Sequence, residues 1–125
     1  MPLLEHVALK ALDLGRTQVF YEALGANVSR PAGGQRLFAT FDGRTRLIFD
    51  QVDFSPDSGA LTYLGLELAS FDEVDALFTR LATQANIHRD MREEYSHATG
   101  PYGFFVLDPD GYVVKVFKYN ATEEA

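Results

Sequence analysis

Asp108-Pro109-Asp110-Gly111-Tyr112, followed by Val113-Val114-Lys115-Val116-Phe117-Lys118-Tyr119, runs from a turn into a strand near the C-terminus. Proline presets φ early in a turn and glycine supplies the left-handed conformation at its end, so the first five residues reverse the chain. The apolar run Tyr102 to Leu107 precedes them, and the whole reads as a β-hairpin. A second hairpin signal, Asp42-Gly43, lies between the strand-like runs Gln35 to Phe41 and Arg44 to Gln51.

Working outward, each hairpin ends the same order of elements. Leu4 to Lys10 reads as a strand; Asp13 then opens a helical pattern at Leu14, Phe20, Tyr21 and Leu24 that stops at Gly25, and Ala26 to Arg30 is a further strand. Pro31-Ala32-Gly33-Gly34 separates that strand from the first hairpin. The pattern restarts with a strand at Leu61 to Ala69, and Ser70 with Glu73 forms a capping box. Val74, Leu77, Phe78 and Leu81 stripe a second helix, Asn86 to Asp90 is a short strand, and the second hairpin follows. Setting His6 on Tyr63 without gaps pairs Leu9 with Leu66, Leu14 with Phe71 and Leu24 with Leu81. Equating the Asp-Gly turns lays Arg44 to Asp50 over Tyr112 to Lys118. The chain therefore reads as one α+β domain of two tandem βαβββ modules, residues 4–51 and 61–119, with a linker at 52–60 and a tail at 120–125. Neither half can bury its sheet face alone. The two glutamates of the tail, Glu123 and Glu124, read as a solvated end.

Composition excludes several classes of function. The 125 residues contain no cysteine, which removes disulfide frameworks, thiolate zinc sites, iron–sulfur clusters and a cysteine nucleophile. Eighteen acidic against eleven basic residues give a formal charge of −7, opposing association with nucleic acid and anionic membranes. No apolar run approaches the roughly 20 residues of a membrane helix, and the first ten residues lack a signal-peptide pattern. A cytoplasmic location is expected. Dinucleotide, P-loop, nucleophile-elbow and His-Glu-x-x-His motifs are absent.

The duplicated βαβββ unit, with His6-Val7-Ala8-Leu9 at the first strand and Asp108 to Tyr112 at the last hairpin, resembles the vicinal oxygen chelate superfamily of glyoxalases, bleomycin resistance proteins and extradiol dioxygenases. The resemblance spans His6 to Lys118. It implies two modules whose sheets curl into a cup with the helices outside, a homodimer, and metal ligands on the first and last strands. The corresponding positions here are His6 and Tyr63 on the first strands, Lys115 on the last strand, and Leu47 from the alignment of the Asp-Gly turns. Divalent cations take imidazole nitrogen or carboxylate oxygen. A leucine donates nothing and a lysine repels, so no cofactor and no metal are expected.

Strand alternation provides a separate reading of the faces. Val7, Leu9, Leu64, Leu66, Leu68, Val114 and Val116 form an apolar face suited to packing under helices, while His6, Ala8, Lys10, Thr45, Leu47, Phe49, Tyr63, Gly65, Glu67, Val113, Lys115 and Phe117 are assigned to the other. His6, Leu47, Phe49, Tyr63, Glu67, Lys115 and Phe117 are thus the candidate ligand-binding residues. Lys115 reads either as an anchor for an acidic group or as a structural partner of Glu67, with a Schiff-base amine a third use. Residues 91–103 combine polar, aromatic and glycine residues, and Arg92, Tyr95, His97 and Tyr102 are candidate lid contacts. Glu93 or Glu94 with His97 has a spacing that shares a metal if the piece is helical; exposed loop residues are the commoner use of such types. His88 reads as structural or exposed.

The function expected from these features is sequestration of a small molecule without the family's metal. The alternative is a lyase, isomerase or dioxygenase of altered site. A third reading is a regulatory module whose cup is filled by its own aromatic side chains.

Overall fold

The structure is a computed structural model describing residues 1–31 and 33–120. The tail glutamates lie outside the described residues. The chain divides into two compact units, Met1–Asp57 and Ser58–Ala125, the break falling inside the linker expected at 52–60.

The first unit contains β1 (His6–Ala11), α1 (Leu14–Ala23), β2 (Asn27–Ser29), β3 (Arg36–Phe41) and β4 (Thr45–Gln51). The second contains β5 (Leu64–Glu67), α2 (Phe71–Ala82), β6 (Asn86–Asp90), β7 (Pro101–Leu107) and β8 (Val113–Tyr119). Each unit has a four-stranded mixed sheet of one topology, β1-β4-β3-β2 and β5-β8-β7-β6. The first strand of each runs parallel to the last and the remaining pairs are antiparallel.

The helices start where their caps dictate. The Asp13 carboxylate accepts from the Arg16 amide at 3.2 Å and Ser70 Oγ from the Glu73 amide at 3.1 Å, satisfying N-terminal donors. Asp72 and Glu73 in the first turn of α2 and Arg80 in its last complement the helix dipole. Helix α1 buries Leu14, Thr17, Phe20 and Tyr21, and the Thr17 hydroxyl donates to the Asp13 carbonyl at 3.1 Å. Helix α2 buries Val74, Leu77 and Leu81. Beneath α1 lie Ala11, Leu37, Ala39, Leu47 and Phe49; Phe104, Val106, Val114 and Val116 form the corresponding buried layer of the second sheet.

The register corrects one part of the face assignment. Val7 pairs with Leu47 and Leu9 with Phe49, so both β4 residues share the helix-facing side of β1. The Phe49 ring lies 4.9 Å from that of Tyr21 on α1, and Phe49 is fully buried. Leu47 and Phe49 are core residues beneath α1. The side of β4 shared with His6, Ala8 and Lys10 carries Arg46, Ile48 and Asp50. Loop length explains the slip: the first hairpin closes over three residues, between Phe41 and Thr45, and the second over five, between Leu107 and Val113. In the first, the Arg44 amide donates to the Phe41 carbonyl at 3.0 Å. In the second, Asp108 Oδ1 accepts the amides of Asp110 and Tyr112 at 2.8 and 2.9 Å. Equating the two Asp-Gly turns shifts the last strand by one residue, and one residue exchanges the faces of a strand.

Candidate functional site

In the second unit, the sheet face turned away from α2 is set by β8 and its neighbours. Gly65 pairs with Lys115, Glu67 with Phe117, Phe105 with Lys115 and Gly103 with Phe117. Tyr63 lies one residue before β5, and its ring meets that of Phe105 edge-on at 5.4 Å. Lys115 Nζ stands 5.3 Å from the Tyr63 ring centre and 4.8 Å from that of Phe117. Tyr119 extends the aromatic row, 5.0 Å from Phe117. The face is therefore a row of rings holding one ammonium, an arrangement favoured by the quadrupole of each ring. Phe105 belongs to it and lies outside the candidate ligand-binding set His6, Leu47, Phe49, Tyr63, Glu67, Lys115 and Phe117. Counting two residues back from Lys115 to Val113, across the five-residue loop to Leu107 and two residues further is the signal that reaches it.

Glu67 does not pair with Lys115. It accepts from Lys118 Nζ at 3.4 Å, so the structural pair considered for Lys115 is not formed.

In the first unit, the Glu5 carboxylate joins two groups. Arg46 donates to it through Nε at 2.6 Å and Nη2 at 3.1 Å, and His6 Nδ1 lies 2.6 Å from Oε1. The Arg46 hydrogen bonds and then that of His6 hold the Glu5 carboxyl well down, from 4.5 to about 2. A lowered acid stabilises the fold above its unfolded value, and that contribution is lost as pH falls through the folded value. Between pH 4.5 and about 2, the unfolding midpoint of Glu5→Gln in denaturant is accordingly expected to fall less steeply than that of the parent. Parallel acid limbs in the two proteins would exclude this carboxylate as a contributor.

Of the four residues expected at a lid, Arg92, Tyr95 and Tyr102 make contacts within the second unit and His97 is exposed. The Arg92 guanidinium bonds Asp90 through Nε and Nη2 at 3.0 Å and Asp75 of α2 through Nη1 at 3.0 Å, and it lies 3.8 Å from the centre of the Phe78 ring. These bonds pull the Asp90 carboxyl below its ordinary value. Tyr102 is in β7; its hydroxyl donates to Asp75 at 2.7 Å and its ring stacks on Phe71 at 4.0 Å. Burial and then the Asp75 hydrogen bond push its phenol up to about 12. Arg92 and Tyr102 thus fasten residues 91–103 to α2, on the sheet face opposite Lys115. The Tyr95 ring lies against Gly100, whose φ of +145° suits glycine. His97 is exposed, and residues 92–95 form turns, so no helical spacing links it to Glu93 or Glu94. Glu94 accepts from Arg89 at 3.1 Å. His88 is exposed, at the irregularity between Ile87 and Arg89.

Comparison with known proteins places this geometry. Residues 3–116 match the family model of the Glyoxalase/Bleomycin resistance protein/Dioxygenase superfamily. The chain belongs to this superfamily. Among curated proteins no sequence match was found. Similar solved structures include a glyoxalase/dioxygenase from Nostoc punctiforme, with 18% identity over 94% of this chain and 91% of that one and a TM-score of 0.75. A putative glyoxalase from Bacillus halodurans has 22% identity over 93% and 95%, also at 0.75. The fosfomycin resistance protein of Listeria monocytogenes, as a mutant complexed with Mn(II) and a dihydroxypropylphosphonic acid, has 16% identity over 98% and 94%, again at 0.75. At these identities the likeness is one of fold.

For the superfamily's metal, the donor chemistry of this chain is a poor fit. With the register corrected, Ile48 takes the place first given to Leu47, because it pairs with Ala8 as Lys115 pairs with Gly65. The four positions at which the resemblance implies metal ligands thus carry His6 and Ile48 in the first unit and Tyr63 and Lys115 in the second: one imidazole, one hydrocarbon, one phenol and one cation. Three or more nitrogen or carboxylate donors are the usual minimum for a divalent site. No group of three or more histidine or acidic side chains placed to hold a metal occurs among the described residues. Among the same residues, no helix is long and apolar enough to cross a membrane.

Proposed function

We propose that this chain binds a small organic molecule on the aromatic face around Lys115, without the divalent metal of its superfamily, and acts by holding that molecule rather than by turning it over. The supporting observation is the Lys115 ammonium near the Tyr63 and Phe117 rings, at the last-strand position where the family resemblance implies a metal ligand. A fixed positive charge there opposes a second cation and favours a ligand oxygen. The fosfomycin resistance protein of this fold is complexed with both Mn(II) and a phosphonic acid. In this chain, Lys115 would supply positive charge directly.

Incubation of untagged protein with iron, nickel, zinc, manganese and cobalt, followed by desalting and elemental analysis, tests the proposal. Less than about a tenth of an ion per chain is expected, and about one ion per chain would refute metal independence.

A second reading, acid–base catalysis, draws on one specific observation. The Glu5 carboxylate engages His6 Nδ1 and so leaves Nε2 for proton transfer.

A further inference from the structure

We infer that the ligand of the Lys115 face is an anion attached to a planar unsaturated group, such as an aryl carboxylate; this deepens the binding function proposed above and rests on it.

Several cations of the chain already have carboxylates. Arg36 bonds Asp50 at 2.6 and 3.2 Å, Arg46 bonds Glu5, Arg89 bonds Glu94, and Lys118 bonds Glu67. Lys115 differs: among the described residues its neighbours are ring faces, and Glu67, the carboxylate on its own sheet face, is taken by Lys118. A ring face stabilises an ammonium but donates no oxygen lone pair, so the hydrogen-bonding capacity of Nζ remains open to a ligand acceptor.

The same geometry disfavours a cationic ligand. Aromatic cages hold quaternary and primary ammonium groups through their ring faces. Here the faces of Tyr63 and Phe117 already hold the protein's own ammonium, and a second cation would meet it at repulsive distance. The formal charge of −7 repels anions at long range, so selection of an anion must come from this local contact and not from steering.

Planarity follows from the surrounding side chains. Tyr63, Phe105, Phe117 and Tyr119 are joined edge-to-face at 5.0 to 5.4 Å within the pairs Tyr63–Phe105 and Phe117–Tyr119, and Tyr63 is 43% exposed. Exposed edges and faces of this kind accept a further ring in the offset or perpendicular arrangements that aromatic pairs prefer. A compact inorganic anion would use Lys115 and none of this surface.

Three probes sharing one ring system separate charge from shape: 2-naphthoate, 2-naphthylmethanol and 2-naphthylmethylammonium, each titrated by the fluorescence anisotropy of the naphthalene. The naphthoate is expected to bind about tenfold or more tightly than the alcohol, as befits one charge-assisted hydrogen bond, and the ammonium more weakly than either. Lys115→Met keeps the apolar stem and is expected to bring naphthoate and alcohol to parity. Lys115→Glu is expected to reverse the order of naphthoate and ammonium. Native amide spectra of both variants establish that they fold.

Equal binding of all three probes to the parent would overturn the anionic class and leave the binding function standing. A naphthoate preference that survives Lys115→Met would overturn the role of Lys115. Failure of every probe to bind would overturn both the ligand class and the binding function.

Discussion

Gly103→Ala is expected to lower the unfolding free energy by about 3 kcal/mol or more, at or beyond the upper end of ordinary overpacking. The methyl group has nowhere to go. A Cβ at Gly103 runs into the Val116 carbonyl oxygen and lies 2.7 Å from Phe117 Cα and 2.9 Å from the Val116 carbonyl carbon. These are backbone atoms of the paired strand, which cannot swing aside as a side-chain end can, so β7 and β8 must separate. Their separation would also move Phe117, linking the packing of the sheet to the Lys115 face. Gly65→Ala is the matched comparison, because its Cβ meets the Phe117 ring edge at 3.4 Å, an ordinary contact. Denaturant unfolding of the two variants is expected to leave Gly65→Ala close to the parent. A Gly103→Ala midpoint equal to the parent's would contradict the close approach of the strands.

The second large effect is expected at Phe49. Phe49→Ala removes a fully buried ring packed against Tyr21, and comparable truncations cost about 3–5 kcal/mol. Phe117→Ala, at a partly exposed ring, is expected to cost less than half of that in the same urea titration. The naphthoate titration should respond in the opposite order, with binding lost in Phe117→Ala and retained by folded Phe49→Ala. Equal destabilisation by the two substitutions would place Phe49 outside the core.

Much of this fold is legible in the chain because local signals and periodicity agree. Asp13 and Ser70 cap helices where their side chains meet an apolar stripe, and Leu14, Phe20, Tyr21, Val74, Leu77 and Leu81 are buried where that stripe places them. Strand alternation separates Val114 and Val116 from Lys115 and Phe117, since burial alternates along β8 from Val113 to Phe117. The site is less legible, for two physical reasons. In β4, Leu47, Ile48 and Phe49 are consecutive, apolar and buried, so alternation carries no sign and register alone decides the faces. Around residues 91–103, composition resembles a ligand-contact loop, yet its polar groups serve Asp75 and Asp90. Side-chain chemistry does not reveal which partner a long guanidinium will reach.

The unequal hairpin loops also bear on how the duplicated halves relate as genes. A chimera assembled by superposing the Asp-Gly turns would transplant Lys115 onto Leu47 and Phe117 onto Phe49, delivering an ammonium beneath α1. The two copies thus share a frame of inside and outside along their last strands through the pairing with the first strand and not through the turns. A mutation acquired at a turn-aligned position in one half has no counterpart meaning in the other, and recombination between them is productive only when the crossover respects the pairing with β1 and β5.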